Sequence, residues 1–188
     1  RGADVRYWEE VEVGEELPTV VRGPLGLTDI IAFCIGAAPV RITAHGLSLQ
    51  RYRKHPAFAF RDPDTCALEP VYSVHYNKAA ARAIGLPYPY DTAVQRHSWL
   101  LQLLTNWMGD DGWIKRSQAK YKGFVFLSDV VWIRGKITKK YINDQVEACV
   151  DIKTRAINQR GEEVMPGMST VILPSKTTNS WPVVRRVH

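Results

Sequence analysis

Cysteine is scarce in this chain and never paired in sequence. Cys34, Cys66 and Cys149 are three residues among 188, odd in number and far apart. No C-x-x-C occurs, so neither a zinc site nor a disulfide framework is suggested. A reducing, cytoplasmic setting is the expected one. No stretch is long and apolar enough to span a bilayer, and no membrane partner is expected. Arg1 to Glu10 is charged and holds no signal-peptide core. No internal repeat is visible, which predicts one folding unit and not a tandem pair. Lys and Arg number 25 against 19 Asp and Glu, giving a net charge of +6. The cations are spread along the chain and not gathered in one arm, which speaks against nucleic acid. A small phosphorylated polyanion or a scattered basic surface would each account for the excess.

What the chain does have is ordinary globular material. Hydrophobic residues make up 45% and charged residues 23%, enough for a core without staples. The strongest element runs from Asp91 to Met108. Trp99, Leu100, Leu101, Leu103, Leu104, Trp107 and Met108 cover more than half of a helical wheel. Gln95, Ser98, Gln102, Thr105 and Asn106 form a narrow polar stripe. Asp91 or Thr92 is the natural N-cap, and Gly109 to Gly112 ends the helix. Two shorter helices are expected, Ile30 to Ile35 behind Thr28-Asp29 and Tyr76 to Ile84 ahead of Gly85.

The period changes to two after the long helix. Strands are expected over Ala119 to Phe126, Val130 to Tyr141, Val146 to Asn158 and Met168 to Leu173. Val131, Ile133, Gly135 and Ile137 should share one face. Asn143-Asp144 and Gln159 to Gly161 suit hairpin turns, so the sheet is expected to be antiparallel. Tyr7 to Val21 reads as an extended entry, a turn and a strand. Ile42 to Lys54 is compatible with a helix, and Phe58 to Pro70 reads as a loop. Pro39 to Pro70 as a whole is an excursion from the core. The tail after Pro174 is polar and expected to be loose. A greasy helix needs cover and a sheet needs one face covered. The economical solution is an α+β hot-dog fold, a curved antiparallel sheet wrapped around the helix. The expected layout is one domain over 1–175 with an inserted segment at about 39–70, and a tail over 176–188.

Several segments resemble the MaoC-like acyl-thioester hydratase/dehydratase family. Asn158-Gln159-Arg160-Gly161-Glu162 with Pro166 to Pro174 is similar to that family's last hairpin. Arg134-Gly135-Lys136-Ile137-Thr138 is similar to its R-G-x-V-T strand, and Tyr7 to Pro18 to its N-terminal strand pair. Leu103 to Gly109 resembles its central helix. The resemblance implies addition of water to, or its removal from, a 2-enoyl or 3-hydroxyacyl thioester on coenzyme A or an acyl carrier protein. It implies no metal or redox cofactor. It also implies a homodimer or higher oligomer, with a homologous subunit as a further option.

The family pattern D-x-N-P-x-H aligns its histidine with His75. Pro70 stands at the aspartate position and Tyr72 at the asparagine position, so the usual carboxylate is missing. Hydration needs a base for water and an acid for the α carbon. His75 and Asp91 are the expected catalytic pair, although Asp91 has the simpler role of a cap and His75 that of a structural histidine. Glu69 is one residue off the family position and is otherwise a solvated loop residue. Backbone N–H groups of Ala93 and Val94 would hold the thioester oxygen. Arg96 falls in the middle of the apolar face and needs an anion. Asp91, Asp129 or substrate would supply it. His97 lies at the edge of that face and suits packing. Arg96, Tyr72, Lys120 and Lys122 are the expected substrate contacts. The two lysines, with Lys115 and Arg116, meet coenzyme A phosphates or simply form an exposed strand face. Two other functions remain open at this point: a non-catalytic hot-dog subunit that binds an acyl thioester, favoured by the missing aspartate, and an acyl-thioester hydrolase.

Overall fold

The computed structural model describes residues 2, 4–36 and 43–182. Within it the chain divides into two compact units, one formed by Arg1–Arg22, His97–Gly123 and Val130–His188, the other by Gly23–Arg96 and Phe124–Asp129. The part of the 39–70 excursion at 39–42, Ile42 included, lies outside the described residues, as does the tail at 183–188.

The first unit holds a five-stranded antiparallel sheet. Its strands are β1 (Val20–Arg22), β4 (Trp113–Ala119), β5 (Val131–Ile142), β6 (Ala148–Asn158) and β7 (Glu163–Ile172). Their order is β1-β5-β6-β7-β4. The alternation along β5 puts Val131, Ile133, Gly135 and Ile137 on one buried face and Arg134 and Lys136 on the exposed one. That buried face meets the long helix α4 (Ala93–Met108). An added Cβ at Gly135 would lie 3.1 Å from Leu17, 3.2 Å from Ile152 and 3.3 Å from Leu103 of the helix. Glycine is therefore the residue that lets α4 approach the sheet. Leu100, Leu103, Leu104 and Trp107 are at most 2% exposed, as an apolar helix in water requires. The N-terminal segment closes the far end of α4, where Arg6 donates to the Trp107 carbonyl at 2.9 Å and sits over its ring. His97 is held at both ring nitrogens, by Ser117 at 3.0 Å and by Tyr121 at 3.2 Å.

The second unit carries the shorter elements: α1 (Leu27–Gly36), α2 (His45–Lys54), a hairpin of β2 (Ala59–Arg61) and β3 (Leu68–Pro70), a 3-10 turn over Val71–His75, and α3 (Lys78–Ala83). It also contains the first turn of α4, Ala93 to Arg96.

Four expectations need correction. The strand placed at Ala119 to Phe126 lies earlier, at Trp113–Ala119. A register shift between Ile114 and Arg116 breaks its alternation and hides it from a period-two search. The loop Phe58 to Pro70 contains the β2–β3 hairpin, closed by Asp62, whose carboxylate accepts from the N–H groups of Asp64 and Thr65 at 2.9 Å. Gln95 leaves the polar stripe and is 3% exposed, because its amide donates to the Asp29 carbonyl. The tail is tied as far as Ser180: Ser175 pairs with Ser180 and donates to Glu9 at 2.7 Å.

Gly135→Ala should cost about 1–3 kcal/mol through overpacking against Leu17, Ile152 and Leu103. Urea denaturation measures it. An unchanged midpoint would show that the helix and sheet are not in this contact.

Candidate active site

His75 ends the 3-10 turn that follows β3. The position of that turn is fixed by what comes next. Asn77 caps α3, its side-chain oxygen accepting from the Ala80 N–H at 3.0 Å. Its amide donates to Asp62 at 2.7 Å, so the hairpin turn and the helix cap share one side chain. Between them lies Ser73, fully buried, whose carbonyl accepts from the N–H groups of Tyr76 and Asn77. Its hydroxyl has no hydrogen-bond partner among the described residues.

The His75 ring packs edge-on between Tyr72 and Tyr90, each with a centroid distance of 4.6 Å. Nδ1 lies 3.0 Å from the Tyr90 carbonyl oxygen. A carbonyl only accepts, so Nδ1 carries the proton and Nε2 keeps its lone pair. Nε2 has no hydrogen-bond partner among the described residues. Burial pulls the His75 pKa below its ordinary 6.5, opposed by the Tyr90 carbonyl and by the charge of Asp91. At neutral pH the ring is an uncharged base.

Tyr90 is itself held in place. Its segment pairs antiparallel with Phe126, the Asp91 N–H donates to Val125 and the Leu127 N–H to Pro89. The Phe126 N–H is taken by the Asp129 carboxylate at 2.9 Å. Tyr90 stacks edge-on against Phe124 at 4.8 Å, and Phe124 against Phe126 at 5.7 Å. The result is an aromatic ladder from the exposed Phe124 inward to His75. Sequence reasoning missed Tyr90, Phe124 and Phe126, which belong to segments more than thirty positions apart and share no local pattern.

Asp91 and Arg96 form a buried pair. Nε donates to one carboxylate oxygen at 2.7 Å and Nη2 to the other at 2.5 Å. Arg96 is 3% exposed. This bidentate geometry answers the need of a guanidinium on an apolar face. Burial pushes the Asp91 carboxyl up, while Arg96 pulls against it. The cap of α4 is Thr92, whose hydroxyl accepts from the Gln95 N–H at 3.1 Å. Ala93 and Val94 precede Gln95 in this first turn, and both are exposed.

The remaining candidates have their own surroundings. The Tyr72 hydroxyl lies 3.8 Å from the Cys34 sulfur, and burial raises its pKa. Glu69 sits on β3, where its charge adds to burial in pushing Tyr76 up to about 12. Lys120 and Lys122 belong to the sheet unit, where their N–H groups donate to Pro166 and Val164 and their side chains are exposed. Among the described residues no group of His, Cys, Asp and Glu could hold a metal ion. No described helix is long and apolar enough to cross a membrane.

Asp91→Ala should destabilise the protein by about 3–5 kcal/mol, because the buried guanidinium loses its bidentate carboxylate. Asp91→Asn should cost less. Denaturant midpoints of the two variants test this, and equal midpoints for both and for the parent would contradict it. His75 adds a pH dependence. Its folded pKa is depressed, so below pH 6.5 the unfolded chain takes up a proton that the native ring resists. The stability it contributes is present above that pH and is lost as the pH falls toward the folded value. His75→Gln should remove this part of the slope.

No protein-family model matches the chain, and no curated protein matches its sequence. Solved structures do match. The unliganded R-hydratase PhaJ1 from Pseudomonas aeruginosa superposes with a TM-score of 0.65 at 15% identity, covering 90% of this chain and 86% of that one. The MaoC-like dehydratase from Rhodospirillum rubrum gives 0.61 at 14% identity, over 89% and 96%. The ChsH1-ChsH2 complex from Mycobacterium tuberculosis gives 0.58 at 16%, over 86% and 98%. The sheet order, the helix it covers and these superpositions agree on one architecture: this chain has the hot-dog fold of the MaoC-like dehydratases and R-hydratases.

Proposed function

We propose that the chain hydrates 2-enoyl thioesters, or dehydrates 3-hydroxyacyl thioesters, carried on coenzyme A or an acyl carrier protein. The observation that carries this reading is His75, an uncharged ring with a free Nε2, anchored to the backbone carbonyl of Tyr90. Tyr90 is three residues ahead of the first residue of α4. In hydration, Nε2 takes a proton from water as the water oxygen bonds to the β carbon. The double-bond electrons pass to the thioester oxygen as an enolate. The N–H groups of Ala93 and Val94 at the helix start stabilise that charge, a contribution typically of ~3 kcal/mol. The imidazolium then returns its proton to the α carbon, and the thioester carbonyl reforms. Asp91 shares the acid–base work through its negative charge, which raises the basicity of His75. Tyr72 and the aromatic ladder flank the acyl group. Arg96 keeps Asp91 in position.

A second reading has its own support. Both oxygens of Asp91 are held by Arg96, and the family aspartate position holds Pro70. A chain so arranged could serve as the acyl-binding, non-catalytic member of a pair. The ChsH1-ChsH2 neighbour is a complex of two differently named chains.

The test is direct. Purified protein is mixed with crotonyl-coenzyme A and with a longer 2-enoyl thioester, and loss of enoyl absorbance is followed. Turnover should fall about 10²–10⁴-fold in His75→Ala, with an acid limb below pH 6.5 in the parent. Turnover that is unchanged in His75→Ala would sink the proposal. Activity that appears only on adding a homologous subunit would establish the second reading.

A further inference from the structure

The outer face of the sheet carries four cations with no acid between them. On β5 and β6, Arg134 lies directly across from Arg155, and Lys136 directly across from Lys153. All four side chains are exposed. Like charges placed opposite each other on neighbouring strands repel, and they destabilise a sheet. Two such pairs, one after the other, make the arrangement costly. Among the described residues none of the four takes part in an ion pair or a side-chain hydrogen bond. The block lines a cavity of about 360 Å³, with Glu16 and Glu163 as its two acids. Glu16 stands across an antiparallel β-bridge from Lys136, but among the described residues neither acid forms an ion pair with the four cations.

The geometry points to an anion-binding site on this face, and to a small molecule carrying a diphosphate group as its occupant. Cross-strand Cβ atoms lie roughly 4.5–5.5 Å apart, and alternate residues along a strand roughly 6.5–7 Å. Two linked phosphates sit between four charges at that spacing, whereas a single phosphate engages only one pair. Two arginines directly opposite each other offer planar forks for phosphate oxygens. Bound diphosphate replaces the repulsion across both strand pairs with attraction.

Isothermal titration of the full chain with inorganic pyrophosphate tests the assignment, with orthophosphate and a short duplex DNA as comparators. Pyrophosphate should bind saturably and more tightly than orthophosphate. Arg155→Glu should weaken it by about tenfold or more, while Arg160→Gln, on the neighbouring hairpin, should leave it unchanged. The same Arg155→Glu variant should melt higher than the parent without ligand, since it turns a repulsive pair into an attractive one. That second readout separates lost binding from lost folding. No saturable pyrophosphate binding at millimolar concentration would overturn the proposal. So would equal affinity in Arg155→Glu, or binding of duplex DNA without binding of pyrophosphate.

Discussion

The constraint on which the rest depends is the burial of α4. A helix with Leu100, Leu103, Leu104 and Trp107 along its body cannot remain in water. The sheet supplies the cover, and it does so at close range only because β5 has a glycine at position 135. The first turn of the same helix belongs to the second unit. That turn has its own anchors: the Thr92 cap, the Gln95 amide on the Asp29 carbonyl, and Arg96 on Asp91. A first turn held at three points does not fray.

The parts of the fold legible in sequence were those with local periodicity. The helix from Ala93 to Met108 and the strands β5 and β6 each repeat over ten residues or more, and the turn residues between them mark their ends; of β7 only the second half, from Met168, was legible, because the alternation fails over Glu163 to Gly167. Strand β4 escaped because its pairing slips one position at Ile114 to Arg116, while the apolar Phe124-Val125-Phe126 just after it looked more like a strand. The β2–β3 hairpin escaped because three residues per strand leave no period to read. Gln95 looked like part of a solvated stripe since its partner, the Asp29 carbonyl, is sixty-six positions away.

The candidate site was legible in its residues and not in its wiring. His75 and Asp91 stand out by position, and Arg96 by its place on an apolar face. Asp91 was one of three partners that the sequence offered Arg96; that it is the one, and with both oxygens, follows from geometry alone. So does the orientation of His75, set by a main-chain carbonyl rather than by a carboxylate. A carbonyl fixes the tautomer but carries no charge, so it leaves the ring a weaker base than a directly bonded carboxylate would. The nearby charge of Asp91 makes up part of that difference.

The double use of Asn77 has a consequence for how this protein would come apart in acid. Asp62 is held below the ordinary carboxyl range, first by the Asn77 amide and then by the Thr65 N–H. Its stabilising effect is present above the ordinary carboxyl pKa and fades as the pH drops through the lowered one. Protonation of Asp62 weakens its bonds to the hairpin N–H groups and to the Asn77 amide together, so the side chain that caps α3 loses its second anchor in the same event. Acid would then act on this unit first through one shared amide, as a local loosening and not a uniform loss of stability.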